Sequence, residues 1–158
     1  MYFNPRLLAT VLRIDDDVPW NQPAANNLGL KYIYMNDPSA QVLRSDMDHF
    51  FTLDDLMAIE DIKLKPKTIL HFKRGDIRPH PNVYLARARD LLEAGGYNED
   101  FCGNYGYDDL ELMDRLRKKG FIFELSEISA RVKNDMKTKG LNRDFTINRE
   151  KYEKLMKP

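Results

Sequence analysis

The sequence predicts an α/β domain in which helices pack on a sheet. Three observations carry this expectation. Short runs with strand character alternate along the chain with segments of helical spacing. Helix caps, glycines and prolines fall at the joints between them. The length, 158 residues with 42% apolar side chains, suits one domain with a real core and is too apolar for disorder.

Thr10-Val11-Leu12-Arg13-Ile14 reads as a strand that ends in Asp15, Asp16 and Asp17. Pro23 suits the first turn of a helix through Ala24, Ala25, Leu28 and Tyr32. Gln41–Ser45 is a short strand. Thr52-Leu53-Asp54-Asp55 resembles a capping box, with Leu53, Leu56 and Met57 expected to face inward. Thr68–Lys73 is a further strand, closed by Gly75-Asp76 and by Pro79 and Pro81. Asn82–Ala94 is ambiguous: Tyr84, Ala88, Leu91 and Leu92 have helical spacing, while Val83-Tyr84-Leu85 suits a strand that leads into a helix. Gly95-Gly96 ends it. Asp108–Lys119 is the clearest helix, acidic at its start and basic at its end as the dipole prefers. Gly120 is its natural stop, and Phe121–Leu125 reads as a buried strand. Asn148 is expected to cap a last helix through Tyr152, Leu155 and Met156.

Composition excludes several classes. Lys plus Arg equals 25 and Asp plus Glu equals 25, so the chain is neutral, which argues against a nucleic-acid binder. The single Cys102 excludes an internal disulfide and a cysteine zinc site. No apolar run approaches the roughly 20 residues that span a bilayer, and no signal peptide opens the sequence. The expected compartment is the cytoplasm. Residues 131–158 hold nine basic and four acidic residues, a net of +5, so residues 1–130 carry −5. The expected division is a body over 1–130 and a basic segment over 131–158. That segment is read either as a lid over an anionic ligand or as a solvated end.

Two segments carry chemistry. Asp46-Met47-Asp48-His49 follows the strand Gln41–Ser45. Carboxylates two apart near a strand end face one way and can share a hard cation such as Mg²⁺ or Mn²⁺, which neutralises a diphosphate. Acids also gather in ordinary turns, and His49 reads either as a ligand or as the residue that leads into the helix. The second segment runs from Gly95-Gly96-Tyr97-Asn98-Glu99-Asp100-Phe101 through Gly103-Asn104-Tyr105-Gly106-Tyr107 to Asp108-Asp109. Glycines admit close backbone approach, aromatics suit the apolar face of a sugar, and a carboxylate at a helix start serves as a general base. The alternative is an acidic pair stabilised by the dipole.

Together the two segments resemble the GT-A glycosyltransferases, closest to family 2-like enzymes and to the C-terminal half of the β-1,4-galactosyltransferase relatives. Trp20-Asn21-Gln22-Pro23-Ala24-Ala25-Asn26-Asn27-Leu28-Gly29 is similar to the segment that precedes the Asp-x-Asp strand in that group. The resemblance covers about residues 11–125 and implies a GT-A mixed sheet flanked by helices. It implies an inverting transfer of a hexose or N-acetylhexosamine from a nucleotide-sugar donor, a uridine diphosphate sugar, to a glycan or other hydroxyl acceptor. Asp46 and Asp48 would hold Mn²⁺ or Mg²⁺, with Asp46, Asn21 and Asn27 on the donor side. Asp109 would be the catalytic base, and Asp108, Tyr105, Gly106 and Tyr107 would meet the acceptor.

The sequence departs from that pattern in three places. Its first strand looks like the family's third, so the expected sheet lacks the first strands and leaves an edge that suits a second copy of the chain. The family's late histidine ligand is missing from Ser129-Ala130-Arg131-Val132-Lys133-Asn134-Asp135, where Asp135 is the alternative. Asn104-Tyr105 stands where the acceptor motif commonly has tryptophan. His71 is expected to be packed in its strand, and His80 to sit in a loop or to line the cleft. Two other readings stand beside the transferase: a sugar-binding module without turnover, and a metal-dependent phosphohydrolase of the haloacid type.

Overall fold

The computed structural model describes residues 10–15, 17–74, 77–133 and 142–157. Five helices and five strands alternate as α1 (Gln22–Asn36), β1 (Gln41–Arg44), β2 (His49–Phe50), α2 (Leu53–Asp61), β3 (Thr68–Arg74), β4 (Ile77–Arg87), α3 (Ala88–Glu93), α4 (Asp108–Lys118), β5 (Ile122–Val132) and α5 (Thr146–Met156). A 3-10 turn, Glu99–Phe101, precedes α4. The sheet order is β1-β4-β3-β5-β2. Only β3 and β5 are parallel; the other pairs run antiparallel. This is the expected mixed sheet flanked by helices.

β3 lies between β4 and β5, and its Ile69-Leu70-His71-Phe72 run is buried on both faces, as an internal strand's should be. Alternate residues feed two cores. Ile69, Tyr84 and Ala86 meet Leu91, Leu112 and Leu116 on the side of α3 and α4. Leu70, Phe72, Val83 and Leu85 meet Ile59 of α2 on the other side. Burying one such Leu or Phe side chain contributes about 1.5–3 kcal/mol.

Local signals explain most joints. Pro lies in the first turn of α1. Thr52 and Asp55 form a complete capping box at α2: the Thr52 side chain accepts from the Asp55 backbone, and Asp55 accepts from the Thr52 backbone. α4 starts with Asp108, Asp109 and Glu111 and ends with Arg115, Arg117 and Lys118. Gly120 follows it at φ +79°. The ambiguous stretch resolves as strand then helix, β4 ending at Arg87 and α3 starting at Ala88.

Several expectations are corrected. Thr10–Ile14 is not a strand: no strand pairs with it among the described residues, and Val11 is 88% exposed, so β-propensity alone does not order it. Leu53, Leu56 and Met57 of α2 face outward, and Ile59 is the buried residue of that helix. Pro79 and Pro81 lie within β4 rather than closing a strand. β1 covers only Tyr84–Arg87, so the prolines occupy the stretch with an open edge, opposite a register shift in β3. β5 is longer than expected and only partly buried. Ile122 and Leu125 are exposed because β2 covers β5 only at Arg131 and Val132. Asn148 does not cap α5 but lies fully buried inside its first turn. Phe145 holds the N-cap position without a side-chain bond, and Asp144 before it accepts from the Thr146 backbone at 2.9 Å. Asp16, Gly75-Asp76, Asp135, Lys137 and Lys139 lie outside the described residues.

Candidate functional site

The site is built at the end of β1. The chain turns there tightly, His49 N–H donating to the Asp46 carbonyl at 3.0 Å. Pairing of β2 with β5 and a bond from Lys133 N–H to the Asp48 carbonyl (2.8 Å) fix the turn against the sheet. Asp46, Asp48 and His49 come together so that one donor atom of each lies within 4.8 Å of the others. The His49 ring is buried, and its Nδ1 is 2.7 Å from Asp48 Oδ1. Its buried Nε2 has no partner. Two carboxylates and an imidazole fit Mn²⁺ or Mg²⁺ in charge, and the imidazole suits the first better.

Arg44, two residues before Asp46 and on the same strand face, holds that carboxylate at 2.9 Å. Its side chain is 14% exposed and its Nε is unpartnered. β4 brings the next groups. Arg44 pairs in register with Tyr84, and Asn82 and His80 follow in the irregular stretch of β4 between Tyr84 and Pro79. His80 Nδ1 stands 3.7 Å from Asp46 Oδ2, and its ring centroid is 5.1 Å from that of His49. Asn82 Nδ2 donates to Asp109 Oδ2 at 3.3 Å.

Asp108 and Asp109 open α4 after Tyr107, whose φ of +66° turns the chain into the helix. Leu110 N–H donates to Asp109 Oδ1 at 2.8 Å. Burial pushes the Asp109 carboxyl above its ordinary value, and Asp46 adds to the rise while Leu110 N–H and His80 oppose it. Burial, then Asp109, pushes Asp108 up to about 6. Asp108 Oδ2 is buried without a partner. A buried carboxylate that binds protons more tightly is a better base.

The remaining expected residues frame this centre. Tyr105 packs on Trp20, ring centroids 4.6 Å apart, with the Arg143 guanidinium 5.9 Å from its ring. Tyr107 packs on Phe145 and Tyr152 of the C-terminal segment. Gly106 has φ +81°, and its carbonyl accepts from Asn148. Asn21 precedes α1 and lines a cavity of about 390 Å³ with Leu12, Ile14, Val18 and Leu28. Asn27 is buried, and its amide is taken up by the loop: Nδ2 donates to Tyr97 O (2.9 Å) and Glu99 Oε1 (2.7 Å), and Oδ1 accepts from Tyr97 N–H (2.7 Å). The structure therefore brings Asp46, Asp48, Asp108 and Asp109 together and gives Asn27 to the framework. The space beside Gly96 goes to the Asn27 side chain, so this glycine admits an internal neighbour rather than a ligand. His71 is packed as expected, between Phe123 and Tyr84.

Arg44 and Asn82 were not among the expected site residues, and His80 lines the cleft from β4 rather than from a loop. A period-2 reading would have placed Arg44 beside Asp46. The prolines around His80 hide the strand that carries it and Asn82.

A mixed sheet flanked by helices, with carboxylates gathered after β1 and at the start of α4, is the architecture of a GT-A-like glycosyltransferase domain. The chain belongs to the glycosyltransferase-like family 2, whose family model matches residues 2–158, well beyond the 11–125 carried by the motifs. No curated protein and no solved structure matches it significantly. Among the described residues no helix is long and apolar enough to cross a membrane.

Proposed function

We propose that this chain transfers a hexose or N-acetylhexosamine from a uridine diphosphate sugar to a hydroxyl of a glycan or similar acceptor, with inversion at the anomeric carbon. The observation that carries the reading is the meeting of the Asp46-x-Asp48-His49 turn with Asp109 through β4. Asp46, Asp48 and His49 would hold Mn²⁺ or Mg²⁺. When bound, the cation supplies Lewis acidity to the departing diphosphate.

The chain's own residues do the rest. Arg44 fixes Asp46 by an ion pair. Asp108 accepts hydrogen bonds from acceptor hydroxyls, and Tyr105, Gly106 and Tyr107 shape the surface on which the sugar lies. Asp109 takes the proton of the acceptor hydroxyl. The hydroxyl oxygen then bonds the anomeric carbon from the face opposite the diphosphate, and the carbon–oxygen bond to the diphosphate breaks. Asn21 lies on the donor side, and Asn27 shapes it through the Tyr97–Glu99 loop. Family membership favours this over the phosphohydrolase reading.

Asp109→Asn tests it. Transfer from the uridine diphosphate sugar should fall at least 10³-fold, an order of magnitude typical of a lost general base with its orientation, while calorimetric donor binding in Mn²⁺ is unchanged. Lost donor affinity in that variant would remove Asp109 from the acceptor side. Donor binding without turnover by the unaltered chain would favour the non-catalytic sugar-binding module.

A further inference from the structure

Asn82 is joined to Asp109, His80 and Arg44 by three different atoms. Its side-chain Nδ2 donates to Asp109 Oδ2 at 3.3 Å. Its backbone N–H donates to His80 Nδ1 at 3.2 Å, and that imidazole faces Asp46 at 3.7 Å. Its carbonyl receives a long contact, 3.5 Å, from Arg44 Nη1, the same nitrogen that pairs with Asp46 at 2.9 Å. Pro81 and Pro79 fix φ on either side of His80 and stiffen this stretch of β4.

Asp109 is thereby gripped on both oxygens. Leu110 N–H holds Oδ1 at 2.8 Å, and Asn82 holds Oδ2. The first bond comes from within α4 and would follow the helix wherever it went. The second comes from the sheet and ties the carboxylate to the strand that faces Asp46. A carboxylate bonded at one oxygen can still swing about χ2; bonded at both, it is fixed in plane. Asn82 Oδ1 is buried without a hydrogen-bond partner, so the bond to Asp109 is the one the amide makes among the described residues.

Resting on the transferase reading, we infer that Asn82 is the positioning residue of the site: it sets the Asp109 carboxylate against the Asp46–Asp48 turn and so fixes the distance between acceptor and donor. Asp109 also faces His80 and Asp46, and Asp108 stands beside it on α4, so any titration of Asp109 includes their charges.

The test uses the whole chain and two variants. Asn82→Asp keeps the shape and replaces the donor with a repelling oxygen; Asn82→Ala removes both. The first measurement needs no turnover: the Asp109 carboxyl carbon, assigned with Asp109→Asn, is titrated by NMR. Its pKa should rise by about one pH unit in Asn82→Ala and by more in Asn82→Asp, since a donor to the charged form is lost. The second is release of uridine diphosphate in Mn²⁺ from uridine diphosphate glucose, galactose and their N-acetylated forms, with methyl glycosides as acceptors. Both variants should lose about 10–100-fold in kcat with the donor KM unchanged, and the acid limb of kcat should move to higher pH. Asn82→Ser, which restores a donor, should recover part of the rate. An Asp109 pKa unmoved in both variants overturns the positioning role. Normal pKa shifts with no turnover of any donor by the unaltered chain would leave Asn82's grip intact and overturn the transferase reading instead.

Discussion

Asp108 stands 8% exposed beside a second carboxylate, with one oxygen unpartnered. Its folded pKa of about 6 lies above the ordinary 3.8. The folded state therefore binds the proton more tightly than the unfolded chain between these values. Stability falls as pH rises through that window, the reverse of an ion-paired aspartate, and above pH 6 the full cost remains. At about 1.4 kcal/mol per pH unit, the cost is about 3 kcal/mol. Asp108→Asn removes the charge and keeps the shape. In urea unfolding it should be more stable than the unaltered protein at pH 7.5 by up to about 3 kcal/mol, and equal to it near pH 3.5. A variant no more stable at pH 7.5 would mean that Asp108 is solvated or paired. On the proposed transferase reading the same substitution should weaken transfer, because the group costly to folding is the one proposed to meet the acceptor.

α5 shows what one buried amide does for an element. Asn148 is fully buried and its Nδ2 donates to the carbonyls of Phe101 (3.0 Å), Asn104 (2.8 Å) and Gly106 (2.9 Å). These carbonyls belong to the glycine-rich loop that leads to Asp108. Tyr152, bonded to Asp114 of α4, and Lys151, bonded to the Asp100 carbonyl, secure the rest of the helix. Asn148→Ala strands buried carbonyls at a cost of roughly 1–3 kcal/mol for each that finds no water. Hydrogen exchange should rise over residues 99–107 before it rises in β3. Equal protection in both forms would show that α5 does not order the loop. This device was not legible in the sequence, where Asn148 suits a cap, because its three partners lie more than forty residues away in the chain. The Thr52 capping box was legible because both partners lie within four residues. Thr10–Ile14 failed for the converse reason: strand character is realised only against a neighbour, and none is there among the described residues. Asp46, Asp48 and Asp109 stand out in local motifs, whereas Arg44 and Asn82 join them only where the fold lays the end of β1 beside β4 and α4.

Across the whole molecule the buried polar atoms without partners are unevenly spread. Of eight among the described residues, four belong to the site: Arg44 Nε, His49 Nε2, Asn82 Oδ1 and Asp108 Oδ2. Each such atom costs about 1–3 kcal/mol unless a ligand or water meets it. The two cores on the sheet faces carry that cost, and a ligand that satisfies these atoms returns it as stability. Binding to the folded state alone stabilises by RT ln(1 + [L]/Kd), about 2.7 kcal/mol at a hundredfold excess over Kd. For a domain of this size that is a rise of about 5–10 °C in Tm. Uridine diphosphate alone or Mn²⁺ alone should give much less than the pair, since the carboxylates and the diphosphate need the cation between them. Asp48→Ala should abolish the joint shift. An equal rise with uridine diphosphate in the presence of a chelator would show that the donor binds through the cations of the chain, and would take the divalent ion out of the site.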